Sequence, residues 1–167
     1  GVGYQTARRL AQGGAKIVMV CRNEQKALTV QKELQQQFPV QIDVVLADFS
    51  RLSDVRRAAE AINRQYPKVD ILINNAGVHH THRRLSEDGY EMVFAVNHLA
   101  SFLLTRLLLD KLIASAPARI IQVNSQTLAL SAMEKTSASD LPSFITESPD
   151  GLIVNGTLMK TTNESSG

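Results

Sequence analysis

Four short apolar runs, at residues 16–21, 40–47, 69–74 and 119–124, recur along the chain with helix-like stretches between them. Ile17-Val18-Met19-Val20-Cys21 has no polar position to turn toward water, as expected of a strand covered on both faces. Between these runs the apolar residues recur every three or four positions. Ala7, Leu10 and Ala11 share one side of a helix over residues 2–12, with Gly13-Gly14 as its stop. Asn23 is placed to cap a second helix carrying Ala27, Val30 and Leu34, which ends at Pro39. Ser53 is read as the cap of a third, carrying Val55, Ala58, Ala59 and Ile62. A long helix is expected from Glu91 to about Ile113, before Pro117 interrupts. Such βα alternation implies an α/β fold, with right-handed crossovers and a parallel sheet between two helix layers.

Composition narrows the function classes. A chain of 167 residues has room for one core. The net charge of +2 is too small to argue for nucleic acid, and the Arg pairs at 8–9, 56–57 and 83–84 are scattered. Cys21 is the sole cysteine, so neither a disulfide framework nor a cysteine metal cage can form. Three histidines, His79, His80 and His82, share one loop without a carboxylate or thiol to complete a metal set, and no metal is expected. The most apolar stretch, residues 99–113, is broken by Ser101, Thr105, Arg106, Asp110 and Lys111, so no membrane segment is expected. The start lacks the pattern of a signal peptide, and a cytoplasmic location is expected; an anchor in a longer parent stays open. From Ser131 onward Ser, Thr, Pro and Asp dominate. The chain is therefore divided into a nucleotide-binding domain over 1–130 and a divergent or disordered segment over 131–167.

Gly1-Val2-Gly3 opens the first helix. A helix start exposes unpaired N–H groups, and a pyrophosphate can approach them closely only where no Cβ intervenes. Alone, the signal is weak. Followed by helix, strand, helix and strand, it points to a dinucleotide site.

The motifs, in order, are Gly1-Val2-Gly3, Cys21-Arg22-Asn23, Asp48-Phe49-Ser50, Asn74-Asn75-Ala76-Gly77, Val96-Asn97-His98-Leu99 and Arg119 through Ser125. Together they resemble the short-chain dehydrogenase/reductase family, particularly the branch of retinol dehydrogenases and of the oxidoreductase domain of WW-domain proteins. The resemblance covers residues 1 to about 125. It implies a Rossmann-type doubly wound parallel sheet that is incomplete here, its first strand and its C-terminal strands being missing. The missing strand would lie at the sheet centre, so its neighbours would show unpaired edges.

The resemblance also implies roles. Gly1, Val2 and Gly3 would hold the cofactor pyrophosphate, and Asn75, Ala76 and Gly77 would line the ribose and nicotinamide side. Asp48 would accept from the adenine amino group, or otherwise close the turn before Ser53. Arg22 sits where the adenine ribose is read. A guanidinium there attracts a 2′-phosphate whereas a carboxylate would repel it, so NADP is favoured over NAD. Asn74 is expected to tie neighbouring strands together. Asn97 would perturb its helix and hold a water of the proton relay, and Ser125 would bind the substrate oxygen.

The family's proton donor is a Tyr with a Lys four residues on. The tyrosines here are Tyr4, Tyr66 and Tyr90, none so followed; Lys160, the one Lys at a suitable distance past Ser125, has Gly156 in the tyrosine's place. The expected protein is an NADP-dependent oxidoreductase of apolar alcohols and carbonyls (retinoid, steroid or lipid-aldehyde type). It is present as a fragment that does not itself reduce carbonyls. The competing reading is a cofactor-binding pseudoenzyme with a sensing or scaffolding role. A small-molecule substrate and a homodimer complete the expected partners.

Overall fold

The computed structural model describes residues 1–124 and the backbone of three short strands at 147–148, 151–154 and 157–159. Its elements in chain order are α1 (Val2–Gln12), β1 (Ile17–Cys21), α2 (Glu24–Gln37), β2 (Ile42–Leu46), α3 (Leu52–Gln65) and β3 (Ile71–Asn74). Then come α4 (Met92–Phe94), a π-helical turn (Ala95–Leu99), α5 (Ala100–Ala114) and β4 (Arg119–Gln122). The chain divides into two compact units, Gly1–Ile120 and Ile121–Gly167. Within the second, β5 (Glu147–Ser148), β6 (Gly151–Val154) and β7 (Thr157–Met159) form an antiparallel sheet in the order β5-β6-β7. The apolar island Leu152-Ile153-Val154, which shows no strand periodicity as a sequence, is the middle strand.

In the first unit β1 and β2 pair in parallel, Ile17 opposite Ile42 and Cys21 opposite Leu46. Alternate residues of β1 serve two cores. Val18 and Val20, with Val45, pack on a cluster made by Val55, Ala59, Ile62 and Tyr66 of the α3 region and Ala100, Leu104, Leu108 and Leu112 of α5. Ile17 and Met19 pack on the other, with Ala7 and Ala11 of α1, Leu34 of α2 and Ile42. The strand's period of two thus sends helices to both faces, and the layered α/β arrangement follows. β3 pairs with β4, and the Arg119 N–H donates to the Asp70 carbonyl just before it. β1–β2 and β3–β4 are separate two-stranded sheets, so the parallel sheet is interrupted between them, as the expected missing strand requires.

Local signals hold at most ends. Asn23 caps α2 by accepting from the Lys26 N–H at 2.8 Å, and Gly14 follows α1 with φ of 83°. The third helix differs: it starts at Leu52, one residue before the expected cap, Ser53. Its first N–H is satisfied from a distance, the Leu52 amide donating to Asp88 Oδ2 at 2.8 Å. A cap from thirty-six residues away is invisible to local pattern.

The long helix keeps its expected span. It runs as one rod over Met92–Ala114, which by length and composition is apolar enough to cross a bilayer. The apolar run of residues 99–113 extends back to Met92 within this helix. In the structure Ala100, Leu104, Leu108 and Leu112, four apart, bury one stripe of it against α3. Core helices of this kind pass the same test.

Two outcomes check this account. Leu108, 1% exposed, should lose about 2–5 kcal/mol on substitution by Ala, against well under about 1 kcal/mol for Phe102→Ala at 59% exposure, both from urea unfolding. Glu91 caps the long helix, and the N–H groups of Phe94 and Val93 hold its carboxyl below the usual range, against desolvation. A depressed folded value means that the cap is complete above the unfolded carboxyl's pKa and is lost as pH falls through the folded one. The Val93 and Phe94 amide resonances should therefore titrate together below the ordinary glutamate range, and Glu91→Gln should abolish the step.

Candidate cofactor site

At the start of α1, Gly1 is the N-cap without a side-chain cap bond. The N–H groups of the first turn have no acceptor within the helix. Gly3 lies against the loop after β3: a Cβ there would come within 2.7 Å of Asn75 Nδ2. No side chain fits. This close approach brings a helix N-terminus up to Asn75, Ala76 and Gly77, and the two glycines at its start leave the amides open to an anion.

The same loop is held from the other side by Asn97. The Val78 N–H donates to Asn97 Oδ1 at 2.7 Å, and Asn97 Nδ2 donates back to the Val78 carbonyl at 3.0 Å. The asparagine amide therefore does for Val78 what a neighbouring strand would do. It sits in the π turn, where the Ala100 N–H bonds to the Ala95 carbonyl, five residues back instead of four. The helix is thus perturbed at Asn97, as the resemblance implied. Asn74 behaves otherwise than expected. Instead of tying strands together, it is buried and donates to Thr105 Oγ1 at 3.0 Å, fixing the end of β3 to α5. Thr105 is one of several polar residues in that helical run, and nothing in the sequence singles it out as the partner of Asn74.

A second group gathers where β1 and β2 end. The Ala47 N–H donates to the Cys21 carbonyl at 3.0 Å, so Arg22 and Asp48 leave adjacent parallel strands at the same edge. Among the described residues Arg22 is exposed and belongs to no ion pair. Asp48 Oδ1 accepts from both the N–H and the hydroxyl of Ser50, at 2.9 and 2.8 Å, which leaves Oδ2 for a ligand. Desolvation pushes the Asp48 carboxyl up. The Ser50 bonds and the charges of Arg22 and Arg51 outweigh it and hold the group below the usual carboxylate range. It is an acceptor at neutral pH.

The structure thus brings Gly3 to Asn75 and Gly77 to Asn97, next to Gly1, Val2 and Ala76 in the chain, and it brings Arg22 to Asp48. Ser125 lies outside the described residues, as do Gly156 and Lys160. Two of the three phenols are committed to carboxylates: Tyr4 bonds to Glu33, and the Tyr66 hydroxyl donates to Asp43 at 2.9 Å. Desolvation and that carboxylate push Tyr66 up to about 12, the wrong direction for an acid. Burial raises the Cys21 thiol as well, which disfavours a thiolate. No group of three or more His, Cys, Asp or Glu is placed to hold a metal among the described residues.

A glycine-opened helix start, an acidic acceptor after β2 and an asparagine-alanine-glycine loop after β3 are thus set on a layered α/β fold. The family model for short chain dehydrogenases matches residues 1–139. The chain belongs to that family. It is 44% identical over 126 residues to human retinol dehydrogenase 13, covering 75% of this chain and 38% of that protein. Its identity to the dehydrogenase/reductase SDR family member FEY of Arabidopsis thaliana is 42% over 132 residues, or 75% of this chain and 35% of the other. Among solved structures, a short-chain dehydrogenase from Sphingobium yanoikuyae in complex with NADPH superposes with TM-score 0.63 at 26% identity, over 72% of this chain and 47% of that one. The chain spans little more than a third of the length of the relatives it matches.

The close approach at Gly3 and the Asn97 clasp each have a consequence. Gly3→Ala should push Asn75 aside and weaken nucleotide binding at least about tenfold, while Asn97→Ala, which strands both backbone groups of Val78, should cost about 1–3 kcal/mol of stability. Isothermal calorimetry and chemical denaturation read the two effects separately.

Proposed function

We propose that this chain forms the cofactor-holding part of an NADP-dependent oxidoreductase acting on an alcohol/carbonyl pair of apolar character, of the retinoid, steroid or lipid-aldehyde type. The observation that carries the cofactor choice is Arg22. It is an unpaired guanidinium at the end of β1, beside an acidic acceptor that is already oriented by Ser50. Arginine forks match phosphate oxygens, and this one is held in no ion pair among the described residues. An NADPH complex among the structural neighbours supports the same choice, and retinol dehydrogenases among the relatives support the alcohol/carbonyl pair.

When bound, the reduced nicotinamide would supply the hydride to a carbonyl carbon. The protein's own work is to hold and orient. Gly1, Val2 and Gly3 offer backbone donors, Asn75, Ala76 and Gly77 line the cofactor, and Asp48 Oδ2 receives the adenine amino group. Asn97 sets the position of the loop through Val78 and would hold a water near the reaction, with Ser125 binding the substrate oxygen. A proton donor of the family's kind is absent from these 167 residues, since no Tyr is followed by Lys at the fourth position. The second reading is a cofactor-binding pseudoenzyme that senses or scaffolds, and a Tyr-x-x-x-Lys past Ser125 in the full reading frame would decide against it. Cofactor binding, common to both readings, is the property to measure.

Titration by ligand fluorescence should give tighter binding of NADPH than of NADH, and Arg22→Ala should erase most of the difference, roughly tenfold or more, while leaving NADH nearly unchanged. Equal affinity of the unaltered chain for both nucleotides would remove the NADP assignment.

A further inference from the structure

A second guanidinium stands beside Asp48. The Arg51 N–H donates to the Asp48 carbonyl at 3.0 Å, so the residue is one tight turn away from the acceptor that Arg22 flanks from the other strand. Both guanidinium charges act on the Asp48 carboxyl. Unlike Arg22, Arg51 is already occupied: its Nη2 lies 2.6 Å from Glu87 Oε1, with the two side chains 47% and 65% exposed.

Glu87 is not there by accident of a floppy chain. It sits at the tip of a tight turn in which the Ser86 N–H donates to the Tyr90 carbonyl at 2.7 Å and the Gly89 N–H to the Ser86 carbonyl at 3.0 Å. Gly89 takes φ of 82°, which permits the turn. The neighbouring Asp88 is anchored on the Leu52 amide. The turn is therefore pinned to the start of α3, and the Glu87 carboxylate is presented to Arg51 without a large entropic cost.

We infer that Arg51 is a second specificity-determining cation for the phosphorylated ribose of the cofactor, and that Glu87 is its built-in counter-anion, exchanged for the phosphate on binding. This rests on the cofactor reading above and deepens it. A solvent-exposed pair of this kind is weak, because water and salt screen both partners. A ribose phosphate with about two negative charges competes well against a single exposed carboxylate. The exchange keeps Arg51 neutralised in the free protein and leaves it available when the doubly charged ligand arrives. Glu87 then lowers affinity for any phosphate and sets the contrast between phosphorylated and plain ribose.

The test uses calorimetric titration of the full 167-residue chain with 2′,5′-ADP and with 5′-AMP, which carry the adenosine end alone and need no turnover. Glu87→Gln should tighten 2′,5′-ADP about three- to tenfold, and Arg51→Ala should weaken it by a similar factor, with 5′-AMP moving less than about twofold in each. Arg51→Lys, which keeps the charge without the fork, should retain part of the preference, and the Arg51→Ala protein should show a shallower salt dependence. Arg22→Ala serves as the reference. If it abolishes the 2′,5′-ADP preference while the Arg51 and Glu87 variants leave the ratio unchanged, this inference is overturned and the cofactor reading stands. If Arg22→Ala also leaves the ratio unchanged, both fall. Equal weakening of the two nucleotides by Arg51→Ala would make Arg51 a support for the loop and would likewise overturn its role toward phosphate.

Discussion

Val18 and Val20 leave β1 on one side and Ile17 and Met19 on the other, and both sides have to be covered before the strand can leave water. The α1–α2 layer and the α3–α5 layer are the two answers to that demand. Once both are in place, β1 and β2 must lie parallel, because each crossover has to travel over a face and return. Parallel pairing brings the two strand ends to one edge, and the ends carry Arg22 and Asp48. The charged sub-site is thus a by-product of how an apolar strand is buried. Its residues need no long-range contact of their own to meet.

The other sub-site is assembled by polar side chains standing in for backbone. Asn97 completes the hydrogen bonding of Val78, Asn74 ties the end of β3 to Thr105, and Gly3 clears the space that Asn75 fills. Each of these economises on main-chain pairing at a place where the chain leaves the sheet. The π turn belongs to the same economy: the extra residue per turn accompanies the amide of Asn97 engaging a loop nineteen residues upstream. A site built this way is stiff at its backbone and open at its amides, which suits a ligand recognised by phosphate oxygens and a ring edge.

Holding and reacting are separable in this chain. The groups proposed to hold a dinucleotide include Asp48, oriented by Ser50, and Asn97, oriented by Val78. Tyr4 and Tyr66 are bonded to carboxylates, and Tyr66 is pushed away from acidity. The family model places the chain among the short chain dehydrogenases. These residues cover little more than a third of the relatives' length, so activity is a property to be sought in the whole protein.

The layered α/β class, the order of elements, the Asn23 cap and the glycine-opened helix were all legible from residue spacing, because strand and helix periods and cap chemistry act over a few residues. So were the short motifs, whose order carried the family. Three things were decided only by the tertiary structure. The third helix takes its cap from Asp88 rather than from Ser53, Asn74 pairs with a helix threonine and not across strands, and Glu87 occupies Arg51. Each joins residues more than thirty positions apart. Local pattern cannot register such pairs, since what sets them is where the packed layers happen to bring two surfaces together. A polar side chain takes whichever complementary group the fold leaves within reach.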